Sequence, residues 1–553
     1  LHPRVRRQRQ MCIRDRILLT FFILSMTASA QNNVIWDDTS SNNWNSKFEE
    51  VNIPSSKDGS LQKAFIYRSQ KSISQPLIVS LHTWSGDYTQ RDPLVDEIVA
   101  RDWNYIHPDF RGPNRTFDSM GSQFVLSDIE DAIEFALKNT HADPNNVHII
   151  GVSGGGFATL AAYMNIAYPV KSFSAWAPIS DIEAWYWESV GRKQKYAKDI
   201  INAISVNGVL NSDEAVSRSP LKQTYPIFKR KDAQLCIYEG VHDGYSGSVP
   251  ITHSINMYNR LVGELKYGTS NMDTIMFKAA FDSDLVSAKE IVDLVTKRIN
   301  PEADKNQTLF GRAIYLYRKY ENIQLTIFEG RHEQLPQALS LIPYKETHSL
   351  RYNILTIGDS NGANEGGWPD QLKGLLPKSC IVNLSQSGRC IGFDNNGKSE
   401  LNALSHIESY LDKAKQLIGN KKYDYIIVCL GTNDAKYIYS ERQTEIVSNF
   451  ELLLSKIRGY KWNGNSVPKI IYVTPPPLRV MNIKEKYKGG NQRLSELIPK
   501  FEAIAQKKEI VFVDIYNPMQ KILDVYATDG VHMDSAGQQI VASQIVRAIN
   551  MQK

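Results

Sequence analysis

Twice along this chain a mostly apolar run of strand length ends in a glycine-bearing turn that carries a serine. Val147–Val152 leads into Ser153-Gly154-Gly155-Gly156, and Tyr352–Ile357 leads into Gly358-Asp359-Ser360-Asn361. Similar apolar runs recur at Leu77–Leu81, Lys171–Ala175, Leu235–Tyr238 and Gln324–Phe328, then again at Tyr425–Leu430, Lys469–Val473 and Ile510–Asp514. Helical stretches separate them. Continuous rather than alternating hydrophobicity marks strands covered on both faces, and strand-helix alternation builds parallel sheets with helices on both sides. The pattern restarts between Ser340 and Arg351 with no Gly/Ser-rich or Pro-rich linker, so two halves packed against each other are expected.

Charge excludes one large class of function. The net charge of +5 over 553 residues arises wholly before Ile17, where six arginines face only Asp15. The rest is balanced, whereas a nucleic-acid binder concentrates basic side chains on one face. Ile17–Met26 is an uncharged apolar run behind Arg14 and Arg16, followed by Thr27-Ala28-Ser29-Ala30. That arrangement reads as an export signal (1–30) cleaved after Ala30, placing the product in the periplasm or outside the cell. The residues before Ile17 resemble translated adapter sequence, an artefactual leader. No stretch approaches the ~20 apolar residues of a membrane span. Cys236 and Cys429 lie in apolar runs and read as buried thiols, while a Cys380–Cys390 pair stays open. No cysteine or histidine spacing fits a metal site, and no cofactor is expected.

The strand, turn and helix around Gly151-Val152-Ser153-Gly154-Gly155 are what a nucleophile elbow requires. Glycines permit the sharp turn, expose the Ser153 hydroxyl and leave the Gly154 amide to stabilise an oxyanion. A serine needs an imidazole base and an orienting carboxylate. Asp243 and His332 follow the runs ending at Tyr238 and Phe328, in the order Ser, Asp, His; His242 and His253 compete for the base, and Glu239, Glu329 and Glu333 for the acid. With Leu81-His82-Thr83-Trp84 after the first run, this half resembles the prolyl oligopeptidase-like branch of the α/β-hydrolase superfamily over about 45–340. The resemblance implies an α/β-hydrolase fold and a second oxyanion amide at Thr83 or Trp84. Oligopeptidases of that branch carry a propeller ahead of the hydrolase, and the residues before position 45 leave no room for one, so an ester substrate is expected. Trp185 and Trp187, with Trp84, are candidates for a substrate platform; packing of a cap helix is the equal alternative.

In the second half Ser360 is followed by Gly388, by Gly431-Thr432-Asn433-Asp434 after another apolar run, and by Asp529-Gly530-Val531-His532. Ser360 would be the nucleophile, His532 its base and Asp529 the carboxylate one turn away, with Gly388 and Asn433 as oxyanion donors. These four blocks resemble the SGNH, or GDSL, serine esterases over about 350–550, with Asn361 where lipase-type members have Leu. The resemblance implies a flavodoxin-like fold. The chain therefore reads as α/β, with an α/β-hydrolase domain (31–343) followed by an SGNH domain (344–553). Esterified carbohydrate is the expected substrate. A peptidase or lipase activity in the first half, or a carbohydrate-binding role for one domain, are the rivals; a mean hydropathy of −0.35 and an aromatic cap favour a polar substrate over lipid.

Overall fold

A computed structural model of the chain describes residues 44–552, apart from 72, 299–306, 347, 349 and 463–466. The expected export signal lies outside the described residues. Among these residues no helix is long and apolar enough to cross a membrane.

The first half is built on β1 (Glu49–Pro54), β2 (Leu61–Tyr67), β3 (Gln75–Leu81), β4 (Asn104–Pro108), β5 (Ala142–Val152), β6 (Ser172–Trp176), a small hairpin of β7 (Ser205–Val206) and β8 (Val209–Leu210), then β9 (Gln234–Gly240), β10 (Thr308–Leu309), β11 (Arg312–Tyr320) and β12 (Ile323–Phe328). All but the hairpin form one sheet in the order β1-β2-β4-β3-β5-β6-β9-β12-β11-β10. The strands from β4 to β12 run parallel, and antiparallel pairs close both edges. Every residue of β3 is buried, and its alternate side chains enter two different cores: Leu77, Val79 and Leu81 one, Ile78 the other. A strand covered on both faces must read as a continuous apolar run.

The second sheet has the order β14-β13-β15-β16-β17, all parallel, from β13 (Asn353–Gly358), β14 (Cys380–Asn383), β15 (Tyr425–Cys429), β16 (Lys469–Val473) and β17 (Val511–Val513). It too has a core on each face, with Leu355 and Ile357 in one and Ile354 in the other. Register aligns the carboxyl ends in both sheets. Leu81 pairs with Gly151, Gly151 with Ala175 and Ala175 with Ile237 in the first, and Gly358 pairs with Cys429 in the second. The loops leaving these ends are therefore neighbours, which is where open α/β sheets gather their functional side chains.

The halves are packed together. The helix Val95–Arg101, which follows the loop after β3, lies against the C-terminal helix Ser535–Met551, and its Ala100 belongs to a core of the second sheet. Arg101 is buried, pairs with Glu97 at 2.5 Å, and donates to Ser340 Oγ (2.7 Å) and the Tyr526 hydroxyl (3.5 Å). Arg547 pairs with Asp102 at 2.9 Å, Gln544 donates to the Ala100 carbonyl at 2.6 Å, and Gln337 to the Val525 carbonyl at 3.0 Å.

All four described cysteines are free thiols. Cys380 is exposed at the start of β14, whereas Cys390 is buried in a core of the second sheet. The open Cys380–Cys390 pairing is thus corrected: both are free thiols, one exposed and the other buried. Cys236 and Cys429 are buried, and burial pushes the Cys236 thiol up to about 11.

Candidate active sites

Ser153 stands between β5 and the helix Gly154–Asn165 with φ 58° and ψ −118°, a conformation that L residues rarely adopt. Such strain persists only where the surroundings enforce it, and it clusters at functional sites. Here the enforcement is steric. A methyl on Gly151 would meet the Gly155 carbonyl at 2.4 Å, and one on Gly155 would meet the Leu81 carbonyl at 2.2 Å. A methyl on Gly154 would lie 2.3 Å from the Trp84 amide nitrogen. The Trp84 amide thus borders Gly154, while the Thr83 amide donates to Gln90 Oε1 at 2.9 Å. Of the two expected donors the structure favours Trp84, and Thr83 is corrected: Gln90 holds its amide in the loop.

Asp243 and His332 meet across β9 and β12. His332 Nδ1 and Asp243 Oδ2 are 2.5 Å apart, and Asp243 Oδ1 accepts from the amides of Gly244 (2.7 Å) and Val249 (3.1 Å). The carboxylate only accepts, so Nδ1 of His332 carries its proton and Nε2 is the basic nitrogen. The competing bases are engaged elsewhere: His242 Nε2 faces Glu329 Oε1 at 2.8 Å, and His253 is buried between Ser180 and Glu188. Glu333 pairs with Arg312 at 2.7 Å. Glu239 lies fully buried and takes the Ser254 hydroxyl; burial, then the neighbouring Asp243 charge, raise its carboxyl well above the usual range.

Two residues here escaped sequence reasoning. A methyl on Gly247 would lie 2.1 Å from Asp243 Oδ1 and 2.7 Å from His332 Cβ, so the acid-base pair is packed directly on that glycine. Arg192, from the helix Ile182–Gly191 and its cap, donates to the carbonyls of Gly244, Gly247 and Ser248 and ties the acid loop to the segment above it. The aromatic platform needs correction. Trp185 and the Trp84 ring are buried edge to face, 4.6 Å between centroids, in a small core with Phe157 and Ile182, because the helices after β6 fold over the elbow. Trp187 is exposed on the same helix.

The second site is assembled by hydrogen bonds. His532 Nε2 is 2.9 Å from Ser360 Oγ, and His532 Nδ1 is 2.8 Å from Asp529 Oδ2. Asp529 Oδ1 also accepts from the amides of Val531 (2.9 Å) and His532 (2.8 Å), the compact turn that a three-residue spacing allows. Burial opposes ionisation of Asp529, but the His532 and Val531 hydrogen bonds outweigh it and hold the carboxyl down at about 2. It is therefore a charged acceptor at neutral pH, which fixes the proton on Nδ1 and leaves Nε2 to accept from Ser360.

Gly388 takes φ 87°, and its carbonyl is held by Asn395 Nδ2 at 2.6 Å. Asn433 Nδ2 donates to the Arg389 carbonyl (3.2 Å) and Asn433 Oδ1 accepts from the Tyr487 hydroxyl (3.3 Å), which orients the amide with its nitrogen on the Gly388 side. Beneath them, Asp434 accepts from the Ile391 amide with both oxygens at 2.9 Å, and burial pushes its carboxyl up to about 7. Lys436 Nζ donates to Asn395 Oδ1 at 2.9 Å. Lys436, Asn395 and Tyr487 carried no recognisable signal in the sequence, since each acts through a contact with a distant loop.

Residues 354–545 match the model of the GDSL-like Lipase/Acylhydrolase family, and residues 98–280 that of the Prolyl oligopeptidase family. A carbohydrate acetylesterase family member from Sinorhizobium meliloti is 23% identical over 36% of this chain and 98% of its own, with a TM-score of 0.31. The native aryl esterase of M. smegmatis is 22% identical over 36% and 98%, with a TM-score of 0.29. Prolyl oligopeptidase B from Galerina marginata is 18% identical over 38% of this chain and 31% of its own, with a TM-score of 0.31. No curated protein matches the chain. The chain thus joins an α/β-hydrolase-like half to an SGNH-like half, each similar to a family of serine hydrolases.

Proposed function

We propose that the chain is an exported ester hydrolase with two independent serine sites acting on esterified polysaccharide or oligosaccharide. On this reading cleavage follows Ala30, residues 31–343 form one catalytic unit and 344–553 the other. The site at Ser360 removes O-acetyl groups from sugars, and the site at Ser153 cleaves acetyl, methyl or feruloyl esters. The observation that carries the proposal is the unbroken relay from Asp529 through His532 to Ser360, in the same chain as a strained Ser153 and an Asp243–His332 pair.

At the second site Ser360 Oγ attacks the ester carbonyl while its proton passes to His532 Nε2, forming a tetrahedral oxyanion. The Ser360 and Gly388 amides and Asn433 Nδ2 donate to that oxygen, where preorganised dipoles lower the barrier most. Collapse expels the sugar oxygen, which takes the proton from His532, and leaves an acyl-serine. Water then repeats the sequence and releases the acid. The first site runs the same steps with Ser153, His332 and Asp243, and with the Gly154 and Trp84 amides as donors. A second reading, peptide-bond cleavage at Ser153, draws support from the family match over residues 98–280.

The test is release of acetate, methanol and ferulate from native xylan and pectin, and of amine from a prolyl peptide amide, by the wild type, Ser153→Ala and Ser360→Ala. Each substitution should remove one activity by ~10³-fold or more and leave the other, since a nucleophile has no local substitute. Loss of both ester activities from one substitution in folded protein would overturn independence. Amine release abolished by Ser153→Ala would replace the ester assignment of the first site.

A further inference from the structure

The residue after the second nucleophile takes no part in the chemistry just described, yet it is among the most heavily bonded side chains at the site. Asn361 is 2% exposed. Its Nδ2 donates to the Val531 carbonyl at 3.2 Å, and its Oδ1 accepts from the Met533 amide at 3.2 Å and from Gln538 Nε2 at 2.7 Å. Val531 and Met533 are the two neighbours of His532. The side chain of one residue therefore grips the peptide groups on both sides of the base, reaching it from the turn that carries Ser360. The orientation of the amide is not arbitrary, because the Val531 carbonyl can only accept and the Met533 amide can only donate.

We infer that Asn361 is the positioning residue of the second site, setting the approach of His532 Nε2 to Ser360 Oγ by clamping the Val531 and Met533 peptides to the nucleophile turn. The inference rests on the reading of Ser360 and His532 as nucleophile and base. The sequence separation makes the need clear: Ser360 and His532 lie 172 residues apart, the first just after β13 and the second in the turn before the C-terminal helix Ser535–Met551. The chemistry requires their approach to hold to within a few tenths of an ångström, and a misplacement of about 1 Å can cost ~10²-fold. Asp529 fixes how the imidazole turns within its own loop; Asn361 fixes where that loop sits relative to the serine. Being buried, Asn361 has no face to offer substrate, so its effect runs through His532.

Neither leucine nor ionised aspartate meets both demands. Leucine leaves a carbonyl and an amide buried without partners. Ionised aspartate sets a carboxylate oxygen against the Val531 carbonyl oxygen, but protonated aspartate regains the donor and has the shape of asparagine.

The experiment uses the full chain and a small acetyl ester, in a Ser153→Ala background so that only the second site reports. It compares Ser360→Ala, Asn361→Leu, Asn361→Asp and Gln538→Leu for kcat, KM, rate of Ser360 labelling by a fluorophosphonate, and thermal midpoint. Asn361→Leu should lower kcat and the labelling rate together by ~10- to 10²-fold with KM nearly unchanged. Gln538→Leu should have the same pattern to a smaller extent. For Asn361→Asp, kcat relative to the parent should rise as pH falls, as protonation restores the donor. A kcat within about twofold of the parent for Asn361→Leu, or a KM increase without a kcat loss, overturns the inference. If Asn361→Leu does not fold, a pH-independent Asn361→Asp ratio overturns it alone. Activity that survives Ser360→Ala instead refutes the nucleophile assignment and is distinguishable from all of these.

Discussion

Replacing Asp243 by Asn should preserve the acid loop while reversing the hydrogen-bonding character of the atom that faces His332. Two donors converge on Oδ1, the amides of Gly244 at 2.7 Å and Val249 at 3.1 Å. An asparagine must therefore keep its carbonyl oxygen there, because turning the NH2 toward them would oppose donor to donor in a buried site. That choice puts Nδ2 where Oδ2 lay, 2.5 Å from His332 Nδ1. The imidazole can then only accept at Nδ1, so its proton moves to Nε2, and a protonated Nε2 cannot take the proton of Ser153. The expected loss in kcat is ~10⁴-fold, or about 5.4 kcal/mol at about 1.36 kcal/mol per decade, with the fold intact. The assay is hydrolysis of a small ester in a Ser360→Ala background, with circular dichroism and thermal melting to show that the protein is folded. Glu333→Gln is the control. Its carboxylate is paired with Arg312, so turnover close to that of the parent is expected. A loss below about tenfold for Asp243→Asn, or a crippled Glu333→Gln, would refute both the acid assignment and the orientation argument.

Gly247→Ala forces a methyl to within 2.1 Å of Asp243 Oδ1, so turnover at the first site should fall by ~10²-fold or more while the second site is unaffected; unchanged turnover would show that the loop yields. Arg101→Met strands the buried Glu97 carboxylate at the interface and should destabilise the folded chain by ~3–5 kcal/mol, read as a lower urea midpoint; an unchanged midpoint would mean that the interface contributes nothing to stability. Asp434 is raised from 3.8 to about 7 by burial, so between those pH values the folded chain holds a proton that the unfolded chain has released. Stability should therefore decrease as pH rises through that window, by up to about 1.4 kcal/mol per pH unit from this group. Denaturant titrations at several pH values should show a flatter dependence in Asp434→Asn, and an identical slope would exclude Asp434 as its source.

The parallel sheets and the two turns that carry Ser153 and Ser360 could be read from the sequence. Strands buried on two faces cannot hide their apolar runs, and a sharp strand-to-helix turn that needs glycines at fixed spacing writes them next to its serine. Asp529 and His532 were legible for the same reason, since three residues of separation close their hydrogen bond within one turn. The edge strands β1, β2, β11 and β14 were not, because partial exposure removes the continuous pattern, and β4 was hidden by its brevity and by polar residues such as Asn104 and His107.

Tertiary structure decided whatever depended on a distant partner. The Trp84 amide borders Gly154 whereas Gln90 reaches back to claim the Thr83 amide, and Trp185 is buried in the small core that the helices after β6 form over the elbow. Cys380 and Cys390 are near in sequence, but one is exposed at the start of a strand and the other is buried in a core. Asn361 looked like a variation within a motif, and its meaning lies with Val531, Met533 and Gln538, at least 170 residues away. Local spacing encodes contacts within a turn or along a strand; contacts between loops exist only once the sheet has brought their strands into register.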